Sequence, residues 1–210
     1  MTDFGRRPAN EKYTYKYLIP RIISLIDYSN QYRILDLGCG NGYVSACLSE
    51  KHDVVGIDHA WDSIVSAERK YKEPKFYIRS EYDDLSGLGM FDVIFTTEFI
   101  QHVPDPLRML ENAQSILKKD GKIIISTPYH GYLKNCAISL FNGWDKHFHP
   151  LNVDGQIKFF SKNTIYDALF KAGFSSPRFY GVGRVPYLWK SMVITATVLE
   201  HGNWTPRSAD

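Results

Sequence analysis

The chain has 210 residues, a formal net charge of +2 and 44% hydrophobic residues. That length suits one compact domain burying roughly 70% of its unfolded surface, and the near-balanced charge lacks the clustered basic face of a nucleic-acid binder. Cys39, Cys47 and Cys136 are odd in number and lack metal-ligand spacing, which argues against a disulfide framework or zinc site and for a reducing cytosol.

Residues 1–30 read as a helical lead-in, in which Pro20 must open or kink the helix "RIISLID". The amino terminus lacks the apolar core of a signal peptide. Short β-branched runs then alternate with amphipathic patterns, the signature of a parallel sheet with crossover helices. Strands are predicted at 33–37, 53–57, 75–78, 91–96 and 122–127, with helices at 42–50, 61–71 and 105–117. The last helix is announced by "PDP", with Pro106 at an early helical position. Lys118 and Lys119 are expected at its end, where cations favour the dipole. Residues 129–160 form a lid-like insertion, followed by a helix at 161–172 closed by Gly173. Two strands follow, "PRFYGVG" (177–183) and "SMVITATVL" (191–199), then a poorly ordered tail at 200–210. The last run is strand-length, and no apolar stretch reaches a membrane span. The whole chain, 1–210, is expected to be a single α/β domain.

The chemistry begins at "RILDLGCGNGY". The first strand ends at Gly38, so Gly38, Gly40 and Gly42 lie at its carboxyl end, where doubly wound sheets bind ligands. Glycines at alternate positions let backbone N–H groups and the helix start approach a ligand closely; the plain alternative is a glycine turn. Asp58 ends the next strand, twenty residues after Gly38, where a carboxylate can accept from a ribose diol or cap the helix at Trp61. Asp36 sits inside the strand end, where a buried carboxylate needs a donor such as an ammonium. The spacing is G-x-G-x-G rather than G-x-G-x-x-G, and no P-loop lysine follows. S-adenosylmethionine combines ribose, adenine and an α-amino group without phosphate, and meets these requirements.

"ILDLGCGNGY", "GID", "FDVIFTTEFIQHVPDP" and "GKIIISTP", in that order over roughly residues 30 to 128, resemble the class I S-adenosylmethionine-dependent methyltransferases. The resemblance implies a Rossmann-like doubly wound seven-stranded sheet of order 3-2-1-4-5-7-6, with the last strand antiparallel and helices on both faces. It places Asp36 near the methionine ammonium, Gly38, Cys39, Gly40 and Gly42 near methionine and ribose, Asp58 on the ribose hydroxyls and His59 beside adenine. Glu81 and the Tyr82 backbone fall at the adenine edge, and Thr97 at the floor under the sulfonium. "TEFIQHVPDP" is similar to "EVLEHVPDP" of ubiquinone-biosynthesis O-methyltransferases and their small bacterial relatives. Some of that group use two acidic residues and the histidine with a divalent metal; here Gln101 replaces the second carboxylate beside Glu98 and His102, and no metal is expected.

Methyl transfer is an in-line displacement, governed by positioning. A hydroxyl acceptor also needs a base, for which histidine suits neutral pH. His102 follows the fourth strand, and the lid stretch "GWDKHFHP" carries His147 and His149; His102 and His149 are the candidate catalytic residues. The alternative for His102 is a hydrogen bond to loop backbone alone. Tyr129, Tyr132, Trp144, Phe148, Phe159 and Phe160 are either the lid's own core or walls of an aromatic or glycan-like acceptor site. Arg184 and Lys190 at the closing hairpin could meet an anionic acceptor. The reading is a cytoplasmic methyltransferase acting on a small-molecule hydroxyl. Its rivals are N-methylation of an amine or amino sugar, a non-catalytic nucleoside-binding module, and a hydride-transfer enzyme. Neither acceptor nor oligomeric state is written in these motifs.

Overall fold

A computed structural model describes residues 9–147, 151 and 155–199. Its sheet has seven strands: β1 (Arg33–Leu37), β2 (Asp53–Asp58), β3 (Lys75–Ile78), β4 (Phe91–Thr97), β5 (Leu117–Pro128), β6 (Phe174–Val182) and β7 (Ser191–Val198). They lie in the order β3-β2-β1-β4-β5-β7-β6, as the resemblance implied. The first five run parallel, and β7 is antiparallel to both neighbours. The order reverses between β1 and β4, so their carboxyl ends define the crevice.

Helices α1 (Ala9–Leu25), α2 (Tyr43–Ser49), α3 (Trp61–Lys70), α4 (Pro106–Ser115) and α7 (Lys162–Lys171) surround the sheet. Side chains alternate along each strand, so two faces must be covered. Leu35, Leu37, Ile57, Ile94, Ile123 and Ile125 pack with Met109 and Leu110 of α4 and Ile165 and Leu169 of α7. On the opposite face Ile34, Val54, Val93, Phe95 and Ile124 meet Leu18 and Ile22 of α1 and Val44 and Leu48 of α2. Burying each such side chain contributes about 1.5–3 kcal/mol. That packing fixes the strand ends to which the site is attached.

Local signals account for most boundaries. Asp105 caps α4 by accepting from Arg108 N–H at 3.1 Å, with Pro106 in the first turn. Ser161 and Thr164 form a reciprocal capping box on α7, and Gly173 closes that helix at φ +81°. Pro20 lies inside α1 and does not open it.

Two expectations change. Lys118 and Lys119 are not at a helix end, because α4 stops at Ser115 and β5 begins at Leu117. Lys118 Nζ instead donates to both oxygens of Asp92 at 2.9 Å across the β4–β5 pair. β6 starts at Phe174, before Pro177: a register shift between Ser175 and Arg178 takes the residue lacking an N–H out of the ladder. The 129–160 segment carries α5 (Tyr132–Leu140) and the four-residue α6 (Trp144–His147). His149, Phe148 and the 200–210 tail lie outside the described residues.

Candidate active site

The glycine turn leaves β1 and enters α2 with φ of +79° at Gly38, +52° at Gly40 and +74° at Gly42. This is the left-handed region that favours glycine. At Gly38 a Cβ would stand 2.4 Å from the ring of Phe99, and at Gly42 one would meet Phe76 at 2.6 Å and Ala67 at 2.8 Å. The turn is thus bare because neighbouring side chains already press on it.

Its N–H groups are engaged within the protein, contrary to the picture of a donor cradle. Gly38 and Cys39 both donate to Ile57 O at 2.9 Å, Gly42 donates to Cys39 O at 3.0 Å, and Gly40 donates to Asp58 Oδ2 at 2.9 Å. Asp58 is 7% exposed, and its other oxygen accepts from Ala60 N–H at 2.9 Å. The carboxylate therefore ties the turn to the start of α3 while retaining lone pairs for a diol. Asp36 is 1% exposed and accepts from Ser45 Oγ of α2 at 2.5 Å, which answers its need for a donor.

The remaining cofactor-side residues follow the sheet edge. His59 is half-exposed, with Nδ1 3.9 Å from Asp58 Oδ1. Glu81 is buried; its backbone carbonyl and that of Asp83 both accept from Asn112 Nδ2 at 2.8 Å. Tyr82 N–H donates to Ser80 Oγ at a long 3.3 Å, its hydroxyl accepts from Asp105 N–H, and its ring lies under Arg108. Thr97 is buried at the end of β4, and its hydroxyl has no hydrogen-bond partner among the described residues. An open groove of about 390 Å³ lies elsewhere, between α1 and the β6–β7 turn beside Tyr17, Arg21 and Arg184.

Beyond β4 stand Glu98, Gln101 and His102. Glu98 has φ +52°, its N–H donates to Ser126 O and Oγ, and its carboxylate accepts from Ser126 Oγ at 3.2 Å. Gln101 is buried: its amide donates to Glu98 O at 2.7 Å and accepts from Thr127 Oγ1 at 3.1 Å. A carboxylate could not make the first of these bonds, which is a structural reason for the amide. His102 Nδ1 lies 3.1 Å from Gly155 O. A carbonyl only accepts, so this bond requires the proton on Nδ1, and a neutral ring held this way has its lone pair on Nε2.

The aromatic residues divide. Tyr129 packs edge-on against Trp189 at 5.2 Å and near Phe179 at 6.0 Å, and Phe160 is buried in the main core. Phe159 stays partly exposed, against His130 at 4.7 Å and Trp144 at 6.4 Å. Tyr132 is 81% exposed.

A methyltransferase-domain family matches residues 9–176, well over half of the chain. The chain belongs to the class I S-adenosylmethionine-dependent methyltransferases. It is 30% identical over 163 residues to a ubiquinone biosynthesis O-methyltransferase of Cereibacter sphaeroides, covering 75% of this chain and 66% of that one. A Rickettsia canadensis protein of the same name is 27% identical over 179 residues, 81% of this chain and 74% of that one. The chain thus spans just under two thirds of the first of these relatives. Its fold is also similar to the magnesium protoporphyrin IX methyltransferase of Synechocystis with bound S-adenosylhomocysteine, at TM-score 0.65 and 17% identity, covering 86% of this chain and 80% of that one.

In this methyltransferase the residues fit the cofactor of its class. The Cβ-free turn, the diol-competent Asp58, the buried Asp36 and the unpartnered Thr97 hydroxyl share one sheet end. With its N–H groups engaged, the turn suits a ligand that is cationic rather than a phosphate. Among the described residues no three His, Cys, Asp or Glu side chains are gathered to hold a metal ion.

Sequence reasoning missed His130 and Lys134. His130 stands two residues past β5, a position as telling as that of His102 after β4. Its ring nitrogens are buried without a well-aligned hydrogen bond among the described residues, although the Asn135 and Gln156 side chains stand near enough to oppose the loss of its proton. Burial, with Lys134 and His147 nearby, lowers its pKa to about 4. Between about pH 6.5 and 4 the unfolded chain binds a proton there that the native state refuses, so stability is complete above this window and falls as pH drops through it. His130→Gln is expected to remove up to about 3 kcal/mol of the stability difference between pH 7 and pH 4.5, read by urea denaturation of both proteins at both pH values.

Proposed function

We propose that this methyltransferase methylates a hydroxyl oxygen of a small-molecule acceptor, aromatic or glycan-like. The observation that carries the reading is His102, whose Nδ1 donates to Gly155 O and so presents a basic Nε2 at the carboxyl end of β4. The names of the relatives support an oxygen acceptor. S-adenosylmethionine, when bound, supplies an electrophilic methyl group on a sulfonium. Asp58 and the Gly38–Gly42 turn hold the nucleoside, with His59, Glu81 and Tyr82 toward adenine, and Asp36 and Cys39 toward the methionine end. Thr97 floors the reacting centre. His102 takes the hydroxyl proton at Nε2 as the oxygen attacks. Cys39, Cys47 and Cys136 are thiols with no disulfide among the described residues, which agrees with action in the cytoplasm. No described helix is long and apolar enough to cross a membrane.

The test is His102→Gln assayed with radiolabelled methyl donor against a panel of phenols, sugars and amines. For a hydroxyl acceptor kcat is expected to fall about 10²- to 10⁴-fold with S-adenosylhomocysteine affinity unchanged. A kcat within about threefold of the parent would move the assignment to a neutral amine, which needs no base in the transition state.

A further inference from the structure

The sheet ends on β6, and α1 lies along its last residues. The helix turns Leu18 and Ile22 into the core. Tyr17, Arg21 and Ser24, at i, i+4 and i+7, share another of its faces. That face is one wall of the open groove of about 390 Å³, and residues 181–184 are the other. Such a volume lies in the range of small-molecule sites. Two glycines keep the strand wall bare: a Cβ at Gly181 would strike the Trp189 ring, and Gly183 has φ +91°, with Tyr17 3.1 Å from where its Cβ would stand.

The groove carries two guanidiniums and no carboxylate, since none of its lining residues is Asp or Glu. Among the described residues neither Arg21 nor Arg184 has a carboxylate within 4 Å. Arg21 lies over the Tyr180 ring, 5.3 Å from its centroid, a contact that orients the guanidinium plane. Asp27, just past α1, is turned instead to Ser29 and Asn30. With a net charge of only +2, general basicity does not account for two unpaired arginines on one groove. The two cations repel each other; an oxyanion between them replaces that repulsion with two attractions, and each planar fork matches two of its oxygens. The groove also stands apart from the methyl-transfer crevice, because β5 and β7 separate β6 from β4, three strand spacings or about 14 Å.

We propose that this groove is a second binding site, for a small molecule bearing an acid group, phosphate or carboxylate, held between Arg21 and Arg184. It involves none of the cofactor or acceptor residues, so it stands whether the methyl acceptor is a hydroxyl or an amine.

The experiment titrates phenyl phosphate and, separately, benzoate into protein saturated with S-adenosylhomocysteine, so that the crevice is filled, at constant ionic strength. The readout is tryptophan fluorescence, since Trp189 packs on Gly181 of the groove wall. A saturable change is expected for at least one of the two, and the tighter one identifies the acid group. Arg21→Gln and Arg184→Gln should each weaken that anion at least about tenfold, the loss of a charge-assisted contact, while calorimetric S-adenosylhomocysteine affinity stays within about twofold. Both side chains are exposed, and an unchanged urea midpoint verifies that each variant is folded. No saturation with either anion, or weakening of less than tenfold in either variant, overturns the proposal. A parallel loss of S-adenosylhomocysteine affinity in the variants also overturns it, by placing the anion in the crevice.

Discussion

Gly38→Ala is expected to eliminate measurable S-adenosylhomocysteine binding and to lower stability by about 2–4 kcal/mol, combining left-handed strain with overpacking. The residue has φ +79°, and its new Cβ would lie 2.4–2.7 Å from three carbons of the Phe99 ring. Phe99 must swing away, and the turn and the start of β4's loop move with it. In a Phe99→Ala background the same substitution should cost less stability, because only the backbone strain remains. Urea denaturation of the four proteins reads this coupling, and calorimetry reads the binding. Equal costs in both backgrounds would show that the ring contact contributes nothing.

Asp58→Ala is expected to weaken S-adenosylhomocysteine by about 2–4 kcal/mol, roughly 30- to 1000-fold in Kd, since hydrogen bonds to a buried carboxylate contribute about 1.5–3 kcal/mol each. Removing the carboxylate leaves Gly40 N–H and Ala60 N–H without an acceptor, so the turn loosens even before any ligand arrives. Asp58→Asn keeps one acceptor oxygen and should lose less. If Asp58 also holds the ribose, removing a ribose hydroxyl from the ligand should cost little further affinity in Asp58→Ala. Full additivity of the two losses would confine Asp58 to bracing the turn.

The two substitutions probe features that differ in how far they could be read from the chain. Gly38, Gly40, Gly42 and Asp58 were legible because each is set by its own strand end: a short apolar run, then the residue types that the turn permits. What the glycines do was not. The N–H groups of Gly38 and Gly40 turn inward to Ile57 and Asp58, residues of a different strand, and Phe99 from beyond β4 supplies the contact that excludes a side chain at Gly38. Gln101 shows the same division. The sequence marks it as a missing carboxylate, whereas its environment uses both ends of an amide, one to donate to Glu98 O and one to accept from Thr127.

By itself the sequence determined the α/β class, the strand ends that carry the cofactor turn, the helix start at Pro106 and the helix end at Gly173, because hydrophobic period and turn chemistry act over a few neighbouring residues. Only the tertiary structure decided that Lys134 reaches back to Tyr129 O and that Tyr129 meets the β6–β7 turn through Lys190 O and the Trp189 ring. Tyr129 and Lys190 are separated by α5, α6, α7 and β6, and they meet because β7 runs antiparallel between β5 and β6, returning the hairpin turn to the end of β5. Contact across such a distance depends on strand pairing, which no local pattern of residues encodes.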